Sequence, residues 1–99
     1  MKTQFTARHF DASENLKQYS LDAVEKLQRF YDRIIDVDIV LQPSSSDENP
    51  QMVEINVNVP QSHLKSSEAA DTYEQAINKA VDNLERQLKK YKNKRRDNH

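Results

Sequence analysis

Not one residue of this 99-residue chain is glycine, and that absence narrows the available folds before any pattern is read. Backbone that must take positive φ, or let a ligand approach closely, ordinarily uses glycine because it has no Cβ. Phosphate-cradling loops, dinucleotide fingerprints and nucleophile elbows are built that way, so none can be built here. Turns are expected to use Asn, Asp, Ser and Pro instead. Cysteine is also absent, which removes disulfides and thiolate metal sites. No apolar run reaches signal-peptide or membrane-span length. A soluble cytosolic protein of one domain, residues 1–99, is therefore expected. Such a domain buries about 60–65% of the surface its unfolded chain exposes.

The most ordered pattern lies in the last third. Tyr73, Ala76, Ile77, Ala80, Val81, Leu84, Leu88 and Tyr91 fall at the spacing of one helix face. Lys79, Arg86 and Lys90 fall on the opposite side. Arg86 to Arg96 holds seven Lys or Arg and no acid. The net charge of −1 conceals this. Residues 1–70 hold seven bases and eleven acids, a net of −4, whereas residues 71–99 hold eight bases and five acids, a net of +3. The negative pole of a helix dipole accounts for two or three bases in a last turn, not for a run of this density. A phosphate-bearing partner is the sharper reading of such asymmetry.

The remaining elements follow from periodicity. Met1 to Arg8 alternates weakly and predicts a strand with Phe5 and Ala7 inward. Asp11 and Ser13 supply helix-start chemistry, with Ser13 as N-cap and Glu14 near the positive pole. Leu16, Tyr19, Ala23, Val24, Leu27, Phe30 and Tyr31 then predict one helix face ending near Asp32. Val37, Ile39 and Leu41 alternate with Asp36, Asp38 and Val40, a half-buried strand. Pro43 to Pro50 reads as a mobile hairpin loop. Val53, Ile55, Val57 and Val59 give the clearest strand, turned by Pro60-Gln61-Ser62. His63 to Ser67 reads as a short fourth strand of ambiguous facing, and Glu68 or Asp71 as the start of the second helix.

The predicted order is β-α-β-β-β-α, an α+β fold. The first crossover should be right-handed and make the first two strands parallel, the other strands should form a meander, and both helices should cover one sheet face. The opposite face would show Lys2, Gln4, Thr6, Arg8, Asp36, Asp38, Glu54, Asn56 and Asn58. It holds no aromatic residue on which bases could stack. Nucleic-acid contact is therefore expected from the helices.

Tyr73, Ala76, Ile77 and the run LERQLKKYKNK (Leu84 to Lys94) resemble the signature helix of the ribosome hibernation promoting factors. That family includes the ribosome-associated translation inhibitors and the sigma-54 modulation proteins. KLQRFYDRI (Lys26 to Ile34) is similar to the family's first-helix run, and HFDAS (His9 to Ser13) stands where that helix begins. Thr72 and Asn78 depart from the family's usual Met and Asp. The resemblance implies a fold akin to double-stranded RNA-binding domains. It also implies a non-enzymatic factor that binds the small ribosomal subunit and its rRNA at the decoding region, blocks messenger and transfer RNA, and preserves idle ribosomes. Carried over by position, the RNA contacts would be Lys79, Arg86, Lys89, Lys90, Lys92 and Lys94. Lys26, Arg29 and Arg33 on the first helix would be secondary contacts. The chain resembles the short form of the family, a monomer in isolation that works with a separate ribosome modulation factor where one exists. Residues 94–99 would be a disordered basic tail.

Other candidates point to plainer roles. His9, His63 and His99 lack metal-ligand spacing, so neither a metal nor another cofactor is expected. Asp36 and Asp38 lie on one strand face, where like charges discourage sheet aggregation; no partner there would make them a catalytic pair. Ser44 to Ser46 suit a flexible loop as well as a modification site. Tyr73 and Tyr91 belong to the apolar stripe. The residues alone leave two rivals open: a general double-stranded RNA-binding module, and a protein-interaction module acting on a transcription factor.

Overall fold

The computed structural model describes residues 1–96. The element order is β1 (Lys2–Ala7), α1 (Glu14–Glu25), α2 (Leu27–Phe30), β2 (Asp36–Pro43), β3 (Gln51–Val59), β4 (Ser62–Ala70) and α3 (Tyr73–Arg96). The strands form one sheet in the order β1-β2-β3-β4. β1 and β2 are parallel, joined by the α1–α2 crossover, and the other neighbours are antiparallel. The expected α+β architecture and its pairing directions are therefore present.

Alternation decides which residues meet across the sheet. One inward row runs Phe5, Ile39, Ile55, Ser66. Its neighbour runs Thr3, Val37, Val57, Leu64. The first row ends on β4 at the small Ser66, and Ala70 further along β4 is also small; both are buried, where α3 lies close against the strand. Onto this face α3 lays Ala76, Ile77, Ala80, Leu84 and Leu88, and the other helices add Val24 and Leu27. Tyr73 stacks on Phe10 with ring centroids 4.6 Å apart, and burial pushes its hydroxyl pKa up. Tyr91 meets Tyr31 edge-on and donates its hydroxyl to the Pro60 carbonyl, consistent with a packing role for both tyrosines on the stripe.

The opposite face carries the rows Lys2-Asp36-Asn58-His63 and Gln4-Asp38-Asn56-Lys65. It is mostly polar, as expected, with Val40 and Met52 its apolar members, and bonded largely to itself. Asn58 Nδ2 donates to Asp36 Oδ1 at 2.7 Å. The His63 ring nitrogens lie 2.6 and 3.0 Å from the Asn58 and Asn56 amide oxygens. Lys65 pairs with Glu54 at 2.7 Å.

Five expectations need correction. The first helix does not run unbroken to Asp32: α1 ends at Glu25, and the chain re-forms as the short α2 through a tightened turn in which Arg29 N–H donates to the Lys26 carbonyl. Tyr19 is not core; it is 37% exposed. The fourth strand is nine residues long rather than five, with Leu64, Ser66, Glu68 and Ala70 turned towards the helices. Glu68 sits in that strand, so it cannot start α3. The Thr72 hydroxyl instead accepts from Gln75 N–H at 3.2 Å and the Thr72 carbonyl from Ala76 N–H, which caps the helix just before Tyr73. Finally, the positive-φ positions fall to His9 (66°) and Gln61 (65°), neither of the residue types expected for turns. Pro60 takes the first turn position and Gln61 the one that glycine usually fills.

Candidate nucleic-acid interface

The site begins with the geometry of α3. Its residues advance by about 100° each, so Lys79, Arg86 and Lys90 fall within a sector of about 40°, on the far side from the buried stripe. All three are exposed, as are Lys89, Lys92 and Lys94. Anchoring Leu84 and Leu88 in the core fixes the rotation of the helix, and with it the direction of these charges. Among the described residues the only ion pair is Lys65–Glu54, on the open sheet face. Lys79, Arg86, Lys89, Lys90, Lys92 and Lys94 thus have no ion-pair partner among the described residues, and exposed Lys and Arg side chains are suited to phosphate oxygens.

The structure divides the nine predicted contact residues into groups. Lys79, Arg86 and Lys90 form the crest, with Lys94 on its strand-side flank. The Lys79 ammonium leans to within 3.5 Å of the Ala69 carbonyl. Lys89 and Lys92 turn the other way, towards α2. Lys89 Nζ lies 5.9 Å from the Phe30 ring centroid, and Lys92 Nζ donates to the Phe30 carbonyl at 3.3 Å. Lys92 there joins Arg29 and Arg33, with Asp32 between them, around a cavity of about 410 Å³, so α3 and the 28–33 stretch bring these cations to one place. None of the three secondary candidates is on the first helix as expected: Arg29 lies in α2. Lys26 occupies the junction between α1 and α2, and Arg33 lies beyond Phe30, where the helix has ended. Lys94 to Arg96 belong to the last turn of α3; the rest of the expected basic tail lies outside the described residues.

Sequence reasoning did not find the cleft between α1 and α3. Tyr19 donates its hydroxyl to Asn78 Oδ1 at 2.7 Å across it, and Lys26, Asp82 and Glu85 line it. Tyr19 lies at the edge of an apolar periodicity, so its spacing suggests a core residue. The pairing with Asn78 spans 59 positions, which no local pattern reports. Among the described residues no group of His, Cys, Asp or Glu could hold a metal ion, and no helix is long and apolar enough to cross a membrane.

Residues 3–96 match the family described as sigma 54 modulation protein / S30EA ribosomal protein. The chain is 35% identical over 92 residues to the ribosome hibernation promotion factor of Deinococcus radiodurans, covering 90% of this chain and 48% of that protein. It thus spans about half of that relative's length. It is 24% identical over 94 residues to the ribosome hibernation promoting factor of Pseudomonas putida, covering 95% of this chain and 89% of that protein. A solved ribosomal subunit interface protein from Coxiella burnetii superposes with a TM-score of 0.82 at 25% identity, covering 93% of this chain and 98% of that one. The N-terminal domain of Thermus thermophilus Protein Y superposes with a TM-score of 0.79 at 24% identity, over 92% and 99% of the two chains, and shares the fold.

Proposed function

The chain belongs to the sigma 54 modulation protein / S30EA ribosomal protein family, and from that premise we propose that it is a ribosome hibernation factor that silences idle ribosomes by occupying the small subunit. Residues 1–99 act as one ribosome-binding domain. The observation behind this reading is the unneutralised cationic crest of Lys79, Arg86 and Lys90, held rigidly on the outer surface of the helical layer. Lys94 extends the crest, while Lys89 and Lys92, with Arg29 and Arg33, extend the charge over α2; Lys26 extends it over the α1–α2 junction.

The mechanism is steric. Phosphate contacts hold a rigid wedge against rRNA of the decoding region, where messenger and transfer RNA would otherwise lie. Lys and Arg read the backbone and its shape rather than base identity. No covalent step is involved. The open sheet face, with Asp36, Asp38 and Glu54, faces away from the RNA because its carboxylates repel phosphate.

Co-sedimentation with purified small subunits tests this. The wild type should pellet with them and lower cell-free translation. A Lys79→Glu, Arg86→Glu, Lys90→Glu variant should do neither, whereas a Lys2→Glu, Lys65→Glu control on the sheet face should match the wild type. Equal pelleting of the wild type and the crest variant would contradict the proposed face.

A further inference from the structure

Two carboxylates interrupt the surface just described. Asp82 and Glu85 sit on α3 between Lys79 and Lys90, where an RNA-binding helix gains nothing from negative charge. Their spacing to Arg86 and Lys89 suits i, i+4 ion pairs, yet neither pair is formed among the described residues. Both instead line the cleft between α1 and α3.

That cleft has the parts of a base-binding site. Its volume is about 340 Å³, within the range of about 300–1,000 Å³ typical of small-ligand sites. Ala23 and Val81 contribute apolar floor. Tyr19 stands as an exposed aromatic wall, and its hydroxyl bond to Asn78 restrains the ring. Lys26 lines the same cleft as the two carboxylate residues. Unpaired RNA bases bind proteins by stacking on aromatic rings and hydrogen-bonding through their edges. A carboxylate only accepts hydrogen bonds, so it selects bases that present N–H groups. Guanine offers two adjacent donors to one carboxylate and a carbonyl oxygen to an ammonium. Adenine and cytosine each offer one amino group. Uracil sets its single N–H between two carbonyls, which a carboxylate repels.

We propose that the cleft between α1 and α3 is a nucleobase pocket that takes one unstacked, amino-bearing base of single-stranded RNA, guanine in preference to the others. This rests on RNA being the ligand of the helical layer. It adds base selectivity to a surface that otherwise reads only backbone. Tyr19 supplies the stacking face, Asp82 and Glu85 the acceptors, and Lys26 the donor.

Fluorescence anisotropy with a short labelled uridine oligonucleotide, and with the same oligonucleotide carrying one central guanosine, tests the pocket. The guanosine should tighten binding by about tenfold, towards the lower end for one bidentate base contact. An Asp82→Asn, Glu85→Gln variant should lose that gain while holding the uridine oligonucleotide at least as well as the wild type. Tyr19→Ala should lose the gain as well. Equal affinity of the wild type for both oligonucleotides, or a guanosine gain that survives in the double variant, overturns the pocket. If small-subunit co-sedimentation persists in that case, the ribosome reading stands alone. A guanosine preference without co-sedimentation would retain the pocket and remove the ribosome reading, and absence of binding both to these oligonucleotides and to the small subunit would overturn both.

Discussion

Gln61 shows what a chain without glycine does at a tight turn. Its φ of 65° places a side chain in the left-handed region, at a strain of order 1–3 kcal/mol. Proline at position 60 pre-sets the first turn angle and reduces the freedom lost there. Gln61→Gly should therefore stabilise the fold, by about 0.5–1 kcal/mol after the extra chain entropy of glycine is deducted. A thermal melt should show a rise of about 2–8 °C; a fall would mean that the Gln61 side chain contributes more than its backbone strain removes. The same scale shows why parts of the sequence mislead. Ser66 is buried at 6% exposure and Ser20 at 0%, because one lies under α3 and the other returns its hydroxyl to the Leu16 carbonyl. Hydropathy assigns both to the surface. With Ser66, Glu68 and Ala70 following Leu64 at its inward positions, β4 loses the alternation that makes β3 plain, and so it reads as five residues instead of nine.

At the level of elements, α3 was the most legible because its stripe and its charges repeat with one period. Its start was less so: Glu68 resembles a helix opener, but strand pairing with Val53 outweighs local propensity, and the cap falls to Thr72. The break at Lys26 is also invisible in periodicity, since Leu27 and Phe30 continue the apolar spacing while the backbone tightens. The division of the cations between a crest and the surroundings of α2 is a tertiary fact, set by how α3 packs across the chain. It yields a distinct expectation. Five or six phosphate contacts give a log–log salt slope of roughly −4 for small-subunit affinity, and Arg86→Gln should reduce that slope in magnitude by about 1. A slope near zero in the wild type, measured by titration at several salt concentrations, would remove counterion release as the driving force.

On the scale of the whole molecule, the decisive asymmetry is between the two faces of the sheet. One is covered by helices whose Lys79, Arg86 and Lys90 are exposed and form no ion pair among the described residues. The other is a polar lattice that bonds to itself through Asp36, Asn58, His63, Glu54 and Lys65. The fold legible from alternation implies this two-sided character, whereas the cleft between the helices depends on Tyr19 and Asn78, which only the folded chain brings together. The absence of cysteine makes the orientation directly measurable. A photo-crosslinker attached to Asn93→Cys on the outer side of α3, or to Ser67→Cys on the open sheet face, reports what each surface meets on the small subunit. Strong crosslinks to rRNA from position 93 and few from position 67 are the predicted result; the reverse pattern would contradict docking through the helical layer.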